Sequence, residues 1–373
     1  MQKYFDLVYV PTGGDLSILK NVDKVLAFTY GECTDSEAYD RDNIEINSLE
    51  YSEIQNIYNL NKNLCVILQN GGILNTDIPC NALLETYYAG QYYSAGLIKV
   101  LLGKSPCGRL AETFPIKLEH TPAYLGSATK KHTPYMEGNY IGYKYYDKKG
   151  ISVAYPFGFG LSYADIRYNG FTLDNDSLSA NGDILGIIEV ENLSDIDSKE
   201  VLQIYYDNGD IKQLVYFDKV LLKAKELKKI PFAISYNEFM RFDQGKYVLP
   251  SESGKLILSK NARDGIFEKA VSLVGSEKPV INEDMLIEEV VALVGVKKVA
   301  EYFSKPLGLA FYANENFVLP AENGVLTENE FDRKNSMMMP LKNLPSYSEK
   351  YTKNDLQKAI CELQKYLDLN INE

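Results

Sequence analysis

The chain has 373 residues, 45% of them apolar, and 51 acidic against 39 basic side chains give a formal charge of −12. That length holds two or three domains of roughly 100–200 residues, and the apolar share is that of an ordinary globular core. The acidic balance argues against nucleic acid or an anionic membrane as partner, because phosphate binding needs clustered Lys and Arg; Lys228-Lys229 and Lys297-Lys298 read as solvated faces. No run reaches the ~20 apolar residues of a membrane span, and Met1 to Val10, broken by Lys3 and Asp6, is too short and too charged for a signal peptide.

In chain order, Val25 to Tyr30 is a short apolar run of buried-strand type. Leu49 to Leu60 follows with Ile54, Ile57 and Tyr58 on one helical face. Leu64 to Leu68 predicts a second buried strand ending at Asn70-Gly71-Gly72, and Leu83 to Tyr88 a third. A helix over Gln91 to Leu102 closes the set, with Gly103 at its C-cap. This order implies a mostly parallel sheet covered by helices, in which ligands bind at the carboxyl ends of strands. The stretch Gly31 to Arg41, just after the first strand, is the place to look.

From about residue 170 the pattern changes. Ile184–Val190, Val201–Tyr206, Leu214–Leu222, Lys229–Ile234 and Lys255–Ser259 are short strand-like runs. Turns at Asn192-Leu193-Ser194-Asp195 and Asp207-Asn208-Gly209-Asp210 separate some of them, which together signal an all-β sandwich. The tail turns helical from about residue 280. Its last helix starts on a Thr352/Asp355 capping pair and places Leu356, Ile360, Leu363 and Leu367 on one face. The five cysteines, Cys33, Cys65, Cys80, Cys107 and Cys361, are odd in number and lack metal-like spacing. They read as reduced, mostly buried thiols of a cytoplasmic protein. His120 and His132 lie in a polar, Pro-containing loop, so neither a metal nor another cofactor is expected.

Several strings resemble glycoside hydrolase family 3, the β-glucosidase type. They are Ser36-Glu37-Ala38-Tyr39-Asp40-Arg41, Leu68-Gln69-Asn70-Gly71, Ala89-Gly90-Gln91, and Gly108-Arg109-Leu110-Ala111-Glu112-Thr113-Phe114-Pro115. The strongest are Tyr140 to Asp147, followed by Tyr155-Pro156-Phe157-Gly158-Phe159-Gly160-Leu161-Ser162-Tyr163. Each alone says little; their order and separation are specific. Glu200 to Tyr206 and Phe217 to Leu222 are similar to the fibronectin type III-like module of three-domain members, with Ala224-Lys225 where the family has a Pro-Gly turn. Met337 onward resembles a small helical extension of some bacterial members.

The resemblance implies an N-terminally truncated α/β sandwich domain over 1–165, a fibronectin type III-like β-sandwich over 166–272 and a helical extension over 280–373. It implies a retaining glycosidase, whose nucleophile and acid/base carboxyl groups lie about 5–5.5 Å apart. The matched acid/base position is Glu37; taken alone, Glu37 is one of 51 acidic side chains on a surface loop. Asp40 and Arg41 read as a loop-closing ion pair. Gly158-Phe159-Gly160 is a packing turn and not a phosphate loop, since no helix pattern or Lys-Ser/Thr follows it. The family nucleophile is the Asp of a barrel Ser-Asp-Trp segment, and Trp is absent here; Lys131-His132 is not the barrel's substrate motif. The chain is therefore expected to be inactive without a (β/α)₈ barrel, from a separate chain or an adjoining one. The expected substrate is a β-linked glucoside or oligosaccharide, with xylosidase and N-acetylglucosaminidase activity open. The alternatives are a non-catalytic remnant or carbohydrate-binding or assembly module, and a flavodoxin-like binding protein.

Overall fold

The structure is a computed structural model that describes residues 3–29, 43–124, 135, 137–179, 181–243, 246–275, 280–307, 338–347 and 351–370. The chain opens with β1 (Val25–Phe28), α1 (Ser48–Leu60), β2 (Leu64–Leu68), β3 (Ala82–Glu85) and α2 (Tyr93–Leu101). The three strands form a parallel sheet in the order β1-β2-β3, with Val25 opposite Leu64 and Cys65 opposite Ala82. A central parallel strand is covered on both faces, which is why β2 is an unbroken apolar run. Val66, Ile67 and Leu68 are all fully buried. Helix α1 places Ile54 in one core with Val25, Leu64 and Val66. Asn47 caps it, its Oδ1 accepting from Leu49 N at 2.8 Å, which satisfies one of the free N–H groups of the first turn.

Several boundaries differ from the sequence expectation, the first strand already stopping at Phe28. The third strand stops at Glu85, three residues short of Tyr88, because the Glu85 carboxylate accepts from Tyr87 N and Tyr87 takes φ 47°. The second helix begins at Tyr93 and not at Gln91, since Gly90 turns the chain at φ 71° just before it. It ends as expected: Gly103 has φ 94° and Lys104 N reaches back to Lys99 O at 2.9 Å, a Schellman-type close.

Strand β4 (Phe114–Pro115), α3 (Tyr143–Lys149) and β5 (Val153–Tyr155) follow, β4 pairing with β5. Next come β6 (Ile166–Leu173), β7 (Ser177–Leu178), β8 (Asp183–Asn192), β9 (Ser198–Asp207), β10 (Lys212–Leu222) and β11 (Leu227–Ser235). Strands β12 (Arg241–Asp243), β13 (Lys246–Val248), β14 (Glu252–Ser259) and β15 (Gly265–Leu273) complete the β region. One sheet runs β10-β9-β14-β15-β7 and another β11-β8-β6. Strand β8 alternates as a half-buried strand should, with Ile184, Ile188 and Val190 fully buried. All five predicted runs are strands; β6 and β15 escape prediction because Gly170 interrupts one and Glu268-Lys269 the other.

The last helices are α4 (Ile287–Val294), α5 (Val296–Leu307) and α6 (Lys353–Asn370). Thr352 Oγ1 donates to Asp355 Oδ2 at 2.6 Å, and Thr352 N donates to the same oxygen at 2.9 Å. The expected capping pair is thus in place. Leu356, Ile360, Leu363 and Leu367 are buried in one cluster with Val290, Phe303 and Leu344. No helix among the described residues is long and apolar enough to cross a membrane. The chain divides into two compact units. The first is Met1–Thr172, Ile187–Pro231 and Lys255–Lys269; the second is Leu173–Gly186, Phe232–Gly254 and Ala270–Glu373.

Candidate functional site

The carboxyl ends of the parallel strands carry a connected set of polar groups. Thr29, at the end of β1, donates from Oγ1 to Ile67 O at 3.4 Å and accepts from Gln69 N at 3.1 Å. Thr86 Oγ1 donates to Leu68 O at 2.6 Å, tying the end of β3 to β2. Buried Asn70 donates from Nδ2 to Gly72 O at 2.5 Å and to Glu85 Oε2 at 3.4 Å. Glu85 Oε1 accepts from Tyr87 N at 2.8 Å, and Tyr87 Oη donates to Glu112 Oε1 at 3.2 Å. Asn70, Glu85, Tyr87 and Glu112 therefore form one polar line along the strand ends. Glu37, Asp40 and Arg41, the residues predicted for this end of the sheet, lie outside the described residues.

Burial pushes the Glu85 carboxyl up from its ordinary range, against the pull of the Tyr87 N–H and the Asn70 amide. The charge of Glu112 pushes in the same direction. The Tyr87 hydroxyl is raised as well, by burial first and by the two carboxylates next. It therefore stays a donor at any ordinary pH. Glu85 and Glu112 were not singled out in the sequence, where one sits at a strand end and the other inside the Gly108-to-Pro115 string. The readable signal was a Glu two residues before a Tyr at the carboxyl end of a buried strand.

The strings that carried the resemblance do structural work. Gly158 has φ 80°, and a Cβ there would overlap Gln203 Oε1. Gln203 Nε2 donates to Gly158 O at 3.1 Å and to Lys260 O at 2.8 Å, while its Oε1 accepts from Tyr205 Oη at 2.7 Å. A Cβ at Gly160 would overlap the Gly108 carbonyl. The expected close-approach turn is therefore present, with Tyr143 stacked on Phe157 at 5.0 Å and Tyr155 against Phe159 at 4.9 Å. Arg109 pairs with Glu200 at 2.8 Å, both nearly buried, and Tyr168 Oη donates to the same carboxylate at 2.9 Å.

The model of the glycosyl hydrolase family 3 C-terminal domain matches residues 13–163. This segment is a family 3 C-terminal domain. Thermostable β-glucosidase B of Acetivibrio thermocellus is 31% identical over 258 residues, 65% of this chain and 34% of that protein. An exo-α-(1→6)-L-arabinopyranosidase of Bifidobacterium longum is also 31% identical, over 69% of this chain and 36% of that protein. Among solved structures, a Bifidobacterium adolescentis GH3 β-glucosidase superposes with a TM-score of 0.65 at 30% identity, covering 76% of this chain and 44% of the other. The chain spans about a third of the length of the curated relatives it matches.

Among the described residues no group of His, Cys, Asp and Glu could hold a metal ion. His120 is described and His132 is not. Cys65, Cys80 and Cys107 are free and only half-buried, and Cys361 is exposed on α6. "Mostly buried" was therefore wrong for the described thiols: Cys361 occupies the solvent face of a helix whose other face is taken by leucines.

Proposed function

We propose that this chain supplies the acid/base side of a retaining, β-glucosidase-type glycoside hydrolase, with Glu37 as proton donor and later as base. The observation that carries the reading is the family 3 match over residues 13–163, in which β1 runs directly into the segment holding Glu37. The nucleophile is then contributed from outside these 373 residues, which contain no Trp and hence no Ser-Asp-Trp segment. We take its source to be a (β/α)₈ barrel, on a separate chain or on another part of a longer one. Residues 166–272 are read as fibronectin type III-like and 280–373 as a helical extension. The free thiols fit a reducing compartment, so the location proposed is cytoplasmic. The substrate is a β-linked glucoside; the similarity to an exo-α-(1→6)-L-arabinopyranosidase at the same identity keeps an arabinopyranoside as the second choice.

The test pairs the chain with a family 3 barrel that holds the nucleophile. Alone, the chain should hydrolyse p-nitrophenyl β-glucoside at background, because one carboxylate cannot form the glycosyl-enzyme intermediate. Mixed with the barrel, it should turn over, and Glu37→Gln should cut the rate by roughly 10²–10⁴-fold. The loss should shrink on dinitrophenyl glucosides, whose leaving group needs no proton. Equal losses on both substrates would make Glu37 a structural carboxylate. Turnover by the chain alone that survives Glu37→Ala would remove both the partner and the site.

A further inference from the structure

Asp207-Asn208-Gly209-Asp210 joins β9 to β10, and its contacts do more than close a hairpin. Asn208 Oδ1 accepts from Asp210 N at 3.0 Å and from Ile211 N at 2.9 Å. Two N–H dipoles on one amide oxygen polarise its carbonyl carbon and are placed to hold negative charge on that oxygen. Gly209 N donates to Asp207 Oδ1 at 2.8 Å, so a carboxylate stands within reach of that proton. Gly209 is exposed, with φ 87° and nothing within 4 Å of where a Cβ would stand, and no side chain of its own shields the nitrogen. Three consecutive residues therefore carry an electrophilic carbon, a nucleophilic nitrogen and a base.

The reaction this arrangement serves is closure of the Asn208 side chain onto the backbone. Gly209 N bonds to Asn208 Cγ while its proton passes to Asp207, and the charge that develops on Asn208 Oδ1 is met by the Asp210 and Ile211 N–H groups. The intermediate collapses by breaking the Cγ–Nδ2 bond; the leaving nitrogen takes the proton back from Asp207 and departs as ammonia. A succinimide remains. Water opens this ring at either carbonyl, giving aspartate or isoaspartate, so that in total one water enters and one ammonia leaves. Ring closure between neighbouring residues needs no encounter step.

The other described Asn–Gly pairs are each short of a part. Asn70 is 2% exposed, closed to the water that ring opening requires. Asn169 lies inside β6, with its amide nitrogen donating to Glu191 Oε2 at 3.0 Å. Gly182 N, after Asn181, donates to the Ser179 carbonyl at 3.0 Å, an oxygen too weakly basic to take a proton.

The same hairpin fastens α3. Asp210 pairs with Lys148 and accepts from Tyr140 Oη at 3.0 Å. Lys212 Nζ stands 3.0 Å from Asp147 Oδ2, and Leu214 N donates to Tyr143 Oη at 2.8 Å. Isoaspartate would add a methylene to the backbone of the turn, and either product puts a third carboxylate between Asp207 and Asp210. We propose that Asn208 is a self-modifying residue, deamidated with Asp207 as base, and that its conversion loosens α3 from the β9–β10 hairpin.

The experiment ages the full chain at neutral pH, folded and in concentrated urea, and follows aspartate and isoaspartate at each Asn–Gly pair by peptide mapping. In the folded chain Asn208 should convert well ahead of Asn169 and Asn181. In urea, where only the shared Asn–Gly sequence acts, that lead should vanish, a test that needs no variant. Asp207→Ser keeps a short oxygen for the Gly209 N–H but no base; its fold is verified by circular dichroism. It should slow Asn208 about tenfold or more, less than the full roughly 10²–10⁴-fold of a general base because water stands in. Hydrogen exchange in the aged chain should quicken at the Tyr143–Lys149 amides and stay unchanged at Leu64–Leu68. Asn208 converting no faster than the other pairs would overturn the self-modification. So would a lead that persists in urea, or a folded Asp207→Ser chain that ages at the parent's rate. Conversion without faster exchange in α3 would overturn the loosening.

Discussion

Replacing Arg109 by Met removes one half of an ion pair whose side chains are 9% and 6% exposed. Glu200 would keep its bond from Tyr168 Oη at 2.9 Å, but its charge would stay in a site that disfavours anions. Burial, then the Glu200 charge itself, already drives the Tyr168 hydroxyl far above its ordinary range. Breaking a buried pair by removing one partner costs about 3–5 kcal/mol. Met fills much of the arginine stem's volume, so the loss should fall near the lower end, about 3 kcal/mol. With a urea m-value of about 3 kcal/mol/M, the midpoint should drop by roughly 1 M. Adding Glu200→Gln leaves Tyr168 a neutral acceptor and removes the stranded charge. The double variant should therefore recover to within about 1 kcal/mol of the parent, so that adding Glu200→Gln to Arg109→Met regains roughly 2–3 kcal/mol and the two losses are far from additive. Hydrogen exchange at the β9 amides, read across the urea series, follows the unit that holds the pair. A midpoint shift below about 0.3 M for Arg109→Met, or strictly additive losses in the double variant, would refute the buried-charge argument.

Gly158→Ala should cost about 2–4 kcal/mol by the same denaturation assay, combining strain at φ 80° with displacement of the Gln203 amide. Gly209→Ala is the control, since it has φ 87° with open space around the new Cβ and should lose only about 1 kcal/mol; equal losses would exclude the Gln203 overlap. For Glu85, the folded state binds the proton more tightly than the unfolded chain, so this group's contribution to stability falls as pH rises from the ordinary glutamate range through the raised folded value. Glu85→Gln should therefore flatten the fall in stability across that window and gain most above it; an unchanged pH profile in urea titrations would contradict the sign.

Segments whose local chemistry and tertiary role agree were legible. In α6, Thr352 and Asp355 sit where a reciprocal cap needs them, and Leu356, Ile360, Leu363 and Leu367 recur at helical spacing and are buried together. Strand β2 is an apolar run because its central position covers both faces. The close approach at Gly158-Phe159-Gly160 was also readable, because only glycine tolerates it. The turn after β3 was not: Thr86-Tyr87-Tyr88 has strong strand propensity, and the Glu85 side chain overrides it by capturing the Tyr87 N–H. The polar line was hidden for a different reason. Tyr87 and Glu112 lie 25 positions apart, and Arg109 and Glu200 lie 91 apart, so no local pattern announces either contact. The acid/base position rested on the resemblance of a single short string, with no periodicity or spacing of its own.

Arg109, Gly158 and Gly160 are anchored by groups that include Glu200 and Gln203 on β9. The heritable block is therefore longer than the α/β portion. A recombination event that joined residues 1–165 to a foreign sandwich would strand a guanidinium without its carboxylate and leave the glycine turn facing a side chain of the wrong shape. Drift at position 203 is likewise bounded by position 158, and drift at 200 by 109. Two segments far apart in the chain thus have to change together, and a gene that borrows one of them without the other inherits a defect before it inherits any chemistry.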